Sequence, residues 1–86
     1  MLRGRRVRFR RAFPRGARPG DYAKVPAGID PRGDEVWYAV APDGRAFAIV
    51  THDVSEHDDG TISCSPSVVT PSGWHGFLER GVWRGL

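Results

Sequence analysis

Three glycine-ended bends constrain this chain more than any other feature. Pro42-Asp43-Gly44 separates VWYAVA (36–41) from RAFAIVTH (45–52), Asp58-Asp59-Gly60 separates residues 51–57 from TISCS (61–65), and Glu79-Arg80-Gly81 separates WHGFL (74–78) from VWRGL (82–86). A three-residue hairpin loop joins a type I turn to a left-handed third residue, a conformation glycine adopts without steric penalty. Each bend therefore predicts a register. Hairpin one pairs Ala41 with Arg45, Ala39 with Phe47, Tyr38 with Ala48, Trp37 with Ile49 and Val36 with Val50. Hairpin two sets His57 against Thr61, Val54 against Cys64 and His52 against Pro66; hairpin three sets Phe77 against Trp83 and Leu78 against Val82.

Side chains alternate faces along a strand, so register sorts them into two sides. One side collects Val36, Tyr38, Val40, Ala46, Ala48, Val50, His52, Val54, Ile62 and Cys64, and is expected to be the core. The other carries Thr51, Asp53, Ser55, His57, Thr61, Ser63 and Ser65 at one end and Trp37, Phe47 and Ile49 at the other. That apolar end needs a cover, which the third hairpin can supply, with Tyr22 and Ile29 of segment 21–35 sharing the role. The fold class expected is all-β: a small antiparallel sheet or barrel built from three hairpins.

Charge divides the chain at residue 20. Eight of the thirteen basic residues, all arginines, precede the first acidic residue, Asp21, so segment 1–20 carries +8 and the remainder −5. Residues 1–20 (MLRGRRVRFRRAFPRGARPG) read as a basic, poorly ordered arm, broken by Pro14, Gly16, Pro19 and Gly20. Residues 21–35 read as irregular connection and residues 36–86 as the compact β domain. Eighty-six residues make one domain at most. No run of about 18 apolar residues is present, so no membrane partner is expected. Cys64 is the single cysteine, which excludes an internal disulfide, makes a disulfide-linked partner unexpected and fits a reducing cytoplasm.

Five constellations bear on chemistry. Arg3, Arg5, Arg6, Arg8, Arg10 and Arg11, interleaved with Val7 and Phe9, suit contacts to nucleic-acid phosphates. Asn and Gln are absent, so their bidentate reading of adenine is not available. Trp74, His75, Arg80 and Trp83 form a candidate partner-binding surface, because aromatic and Arg side chains concentrate binding energy; Trp83 and Phe77 are also natural core residues. His52, Cys64 and His75 are the best metal-ligand types, but His52 and His57 project from opposite faces and no CxxC or HExxH spacing exists. Cys64, Ser65 or Ser67 as nucleophile with His75 or His52 as base lacks a nucleophile elbow. The acidic cluster Asp53, Glu56, Asp58 and Asp59 lacks calcium-loop spacing and reads as a solvated turn.

The segments VWYAVAPDG (36–44), THDVSEHDDGTISCSPSVV (51–69) and GWHGFLERGVW (73–83) resemble small uncharacterised proteins of bacteriophages infecting actinobacteria. These in turn resemble a wider phage-associated family of unknown function sharing S-P-S-(I/V), a (W/S)-H-(G/Y) strand and a closing hairpin. The resemblance covers roughly residues 36–84. It implies a phage or prophage product made in a bacterial cytoplasm, and no activity. Some relatives have Cys-rich stretches that this chain lacks, so no metal site carries over. The expectation is a non-enzymatic, phage-derived binding protein without cofactor, contacting a macromolecule, protein more than nucleic acid. The alternatives are nucleic-acid binding through the arginine segment and a small metal-dependent hydrolase.

Overall fold

The structure is a computed structural model that describes all residues, Met1–Leu86. It contains nine strands and no helix: β1 (Leu2–Arg3), β2 (Tyr22–Val25), β3 (Val36–Val40), β4 (Ala46–Ile49), β5 (Asp53–Glu56), β6 (Ile62–Ser65), β7 (Val68–Val69), β8 (His75–Glu79) and β9 (Val82–Gly85). They form three antiparallel sheets, ordered β1-β9-β8-β7, β2-β3-β4 and β5-β6. The all-β reading holds. No barrel closes.

The first two hairpins adopt the registers their bends dictate. Trp37 pairs with Ile49, Tyr38 with Ala48 and Ala39 with Phe47; Val54 pairs with Cys64. Gly44 and Gly60 take φ of 88° and 87°, the left-handed conformation the loops require. The His52–Pro66 pairing is not made, because the β5–β6 ladder ends at Asp53–Ser65.

The third hairpin differs by one residue. Leu78 pairs with Trp83, Glu79 with Val82 and Phe77 with Arg84. Its loop is the two residues Arg80-Gly81, both at positive φ (45° and 77°), as a type I′ turn demands. A left-handed non-glycine residue costs about 1–2 kcal/mol. Two tertiary bonds offset that cost: Arg80 N–H donates to Ser63 Oγ at 2.8 Å and Gly81 N–H to the Ile62 carbonyl at 2.9 Å. The slip buries Leu78 and Trp83 together and turns Phe77 outward, 37% exposed beneath the Arg84 guanidinium.

The core is Tyr22, Trp37, Ala39, Ile49, Ile62, Cys64, Val68, Leu78 and Trp83. Hairpin one thus turns Trp37, Ala39 and Ile49, the side expected to need a cover, into this cluster; on the side expected to be core, Val36 and Val40 are buried as well but the rest of hairpin one is not. Ala46 and Val50 are exposed, and Tyr38 and Ala48 only half-buried. The covering elements are those anticipated: Trp83 meets Phe47 with ring centroids 6.3 Å apart, and Tyr22 meets Trp37 at 6.3 Å. Both faces of β3 are apolar, so register alone did not choose between them.

The other face of β3 is covered by the segment expected to be a poorly ordered arm. Residues 1–20 are an ordered part of the fold. β1 pairs with β9, and Arg5–Val7 runs parallel to β2, with Tyr22 N–H donating to the Arg5 carbonyl at 3.0 Å and Val7 N–H to the Tyr22 carbonyl at 2.9 Å. Phe9 and Phe13 then pack on Tyr38, centroids 6.1 and 6.2 Å away. Residues 21–35 are not all connection either, since β2 lies within them and its Tyr22 is 1% exposed.

One close approach locks these parts together. The Trp83 indole N–H donates to the Gly20 carbonyl at 2.9 Å, passing beside Gly4. A Cβ at position 4 would overlap the Gly20 oxygen and lie 2.8 Å from Trp83 Nε1. Gly4→Ala is therefore expected to destabilise the protein by about 1–3 kcal/mol, as overpacking does, whereas exposed Ala12→Ser should stay within about 0.5 kcal/mol of wild type. Urea unfolding followed by tryptophan fluorescence checks both.

Candidate nucleic-acid interface

Of the eight N-terminal arginines, two are consumed by the fold. Arg5 grips Asp21 with both prongs of its guanidinium, Nε to Oδ1 at 3.1 Å and Nη2 to Oδ2 at 3.0 Å. Arg6 pairs with Glu56 at 2.5 Å, donates to the Gly60 carbonyl at 3.3 Å and lies 5.0 Å from the centre of the Trp37 ring. Lys24 joins the same network, 3.0 Å from Glu56 and 3.3 Å from Glu35. Glu56 thus serves the fold. Asp59 caps its own bend by accepting from Thr61 N–H at 3.0 Å and from the Thr61 hydroxyl at 2.6 Å.

Arg3, Arg8, Arg10, Arg11, Arg15 and Arg18 are exposed and take part in none of the ion pairs. Their loop is nevertheless folded. Successive tight turns link Phe13 N–H to the Arg10 carbonyl at 2.8 Å, Arg15 to Ala12 at 2.7 Å and Ala17 to Pro14 at 2.8 Å. Asp21 closes the loop, accepting from Arg18 N–H at 2.9 Å on the oxygen that also holds Arg5. The result is a hollow of about 360 Å³ whose charged lining is Arg5, Arg8, Arg10, Arg15 and Asp21. A second hollow of about 230 Å³, lined by Phe13, Pro14, Tyr38, Ala46, Phe47 and Ala48, adjoins it at Phe13.

The nominated arginines thus divide into structural (Arg5, Arg6) and free (Arg3, Arg8, Arg10, Arg11). Arg15 and Arg18 belong with the free set and were missed, as was Phe13, which lines both hollows. Their signal was the Pro14–Pro19 stretch followed at once by Asp21, the first carboxylate able to fold a basic run back on itself.

The other candidate sets do not assemble. Trp83 is 1% exposed, so it cannot belong to a partner-binding surface; its size and apolar ring place it in the core. Trp74 is half-buried against it, centroids 5.5 Å apart, while His75 and Arg80 are exposed. His52 Nε2 lies 2.9 Å from the Ser67 carbonyl, and His75 Nε2 lies 3.2 Å from Ser67 Oγ. Cys64 is buried, which pushes its thiol up to about 11 and disfavours the thiolate that a metal or nucleophilic role needs. No three His, Cys, Asp or Glu side chains converge. No helix is long and apolar enough to cross a membrane.

No protein-family model matches this chain, and neither a curated protein nor a solved structure matches it.

The carboxyl that closes the loop is a pH-dependent lock. Burial alone would raise Asp21, but the Arg5 hydrogen bonds, the Arg18 N–H and the charges of both arginines outweigh it and hold the group below its ordinary 3.8. Tyr38 and the Arg32 N–H likewise lower Asp30. A carboxyl depressed in the folded state binds protons more readily when unfolded. Its contribution is complete above the ordinary value and vanishes as pH falls through the lower folded one. Thermal stability is therefore expected to be flat near neutrality and to drop below about pH 4. Asp21→Asn should lower the melting temperature at pH 7 by about 4–8 °C, the equivalent of roughly 1 kcal/mol, and make the acid decline shallower. Scanning calorimetry across pH checks both.

Proposed function

We propose that the protein binds nucleic acid through its sugar–phosphate backbone, using Arg8, Arg10, Arg11, Arg15 and Arg18. One observation carries this reading: the loop is held in an ordered shape while its guanidiniums are left without carboxylate partners. A disordered basic tail pays ordering entropy when it binds, whereas a folded loop has paid it already. Guanidinium forks match phosphate oxygens bidentately. With neither Asn nor Gln in the chain, recognition is expected to follow charge and shape more than base sequence.

The phage or prophage origin implied by segments 58–69 and 74–83 suits a small protein acting on nucleic acid in a bacterial cytoplasm, and the unpaired Cys64 fits that reducing setting. A protein-partner surface has less support, since Trp83 is in the core. The metal-dependent hydrolase reading has less support, since His52, Cys64 and His75 form no cluster of three metal-ligating side chains.

Deleting residues 1–20 would not test the reading, because it would remove β1 and the Phe9–Phe13 cover along with the arginines. Point variants do. If the loop neutralises about four phosphates on a single strand, affinity should fall with a logarithmic slope near −3, on the order of 50–100-fold between 50 and 200 mM salt. Arg8→Met and Arg11→Met should each weaken binding and reduce the slope by about one. Fluorescence anisotropy with an oligonucleotide measures this; affinity indifferent to salt, or variants binding like wild type, would overturn the reading.

A further inference from the structure

We propose that the arginine-lined hollow receives a terminal phosphate of a nucleic-acid strand, and that the nucleoside bearing it rests in the adjoining apolar hollow at Phe13. The inference deepens the phosphate-binding reading above and rests on it.

Shape comes first. The larger hollow is lined by side chains from within residues 5–10 and residues 12–17, with Asp21 also in its lining. At about 360 Å³ it falls within the usual range for small-ligand sites, room enough for the phosphate that ends a strand.

Charge points the same way. Four guanidiniums against one carboxylate leave three positive charges uncompensated in the lining. Asp21 is engaged on both oxygens, by Arg5 on each and by Arg18 N–H on Oδ2, so it does not compete for Arg8, Arg10 or Arg15. An internal phosphodiester brings one negative charge. A terminal monoester brings about −1.5 to −2 near neutrality and three strong acceptor oxygens, a closer match to this excess.

The neighbouring hollow supplies the rest of a nucleotide site. Its lining of Phe13, Pro14, Tyr38, Ala46, Phe47 and Ala48 is apolar but for the Tyr38 hydroxyl, which donates to buried Asp30. Flat aromatic and apolar walls take a base by stacking, with little regard to its identity. Phe13 lines both hollows, so phosphate and nucleoside sites are contiguous.

The test measures binding of full-length protein to three single-stranded oligonucleotides of one sequence, ending in 5′-phosphate, 3′-phosphate or hydroxyls only, at fixed salt. A phosphorylated probe is expected to bind roughly tenfold more tightly than the hydroxyl-ended one, as one added charge-assisted contact gives. A nucleoside 5′-monophosphate should compete with it and shift the amide resonances of Gly16 and Ala17. Arg15→Met should bring the ratio between probes toward one; Arg15 is exposed and unpaired, so the variant should fold, and its melting curve verifies that. Equal, salt-sensitive binding of all three probes would overturn the terminal-phosphate site and leave the phosphate-binding reading standing. No binding of any probe would overturn both. A preference that survives Arg15→Met would overturn the assignment to this hollow, and binding of the monophosphate without the strands would overturn the strand reading while supporting the hollow.

Discussion

The buried carboxylate of Asp21 is the constraint around which this protein is arranged. Its backbone lies between Arg18, whose carbonyl accepts from Asp21 N–H at 3.0 Å, and Val40, whose N–H donates to the Asp21 carbonyl at 2.8 Å. Its side chain is 3% exposed, and a carboxylate so placed must be matched by donors. Arg5 and the Arg18 N–H provide them. Satisfying this one group draws residue 5 onto the β2 edge and closes the loop 10–18. Once Arg5 is fixed, Arg6 is carried over Trp37 to Glu56, and Phe9 and Phe13 come down on Tyr38. The segment is the second layer of the β2-β3-β4 sheet.

This arrangement separates two uses of arginine. A half-exposed guanidinium gripping a buried carboxylate fastens the fold, and a similar residue a few positions on has nothing to pair with. Segment 1–20 carries eight positive charges and the fold provides it with only Asp21 and Glu56 as direct partners. Of the remaining charges, Arg10, Arg11 and Arg15 sit within the tight turns of residues 10–17, so the fold confines like charges to a short loop despite their mutual repulsion. A polyanion relieves that repulsion, the physical ground for reading the loop as a phosphate-binding surface.

Local turn chemistry was legible in the chain and long-range choice was not. The bends at Gly44 and Gly60 specified their hairpins because glycine at φ near +88° is a local preference that needs no partner. The bend at Gly81 offered two solutions, a three-residue loop or the tighter Arg80-Gly81 turn. Bonds from Arg80 to Ser63 and from Gly81 to Ile62, across 17 and 19 residues of chain, selected the tighter one. The candidate site was half legible: the basic residues were evident, but which of them were free depended on where Asp21 and Glu56 lay.

Sequence by itself determined the all-β character, two hairpin registers, the shared face of Val54, Ile62 and Cys64, and the concentration of positive charge before residue 20. These follow from alternation and glycine conformation, properties of neighbours along the chain. Only the tertiary structure decided which face of β3 looks inward, that Trp83 pairs with Leu78, and that the basic segment is a folded layer and not a tail. Each of those choices is made by groups remote in sequence, Asp21 with Arg5, Trp83 with Gly20 and Tyr38 with Phe13. Their pairing energy exists only once the chain has brought them together.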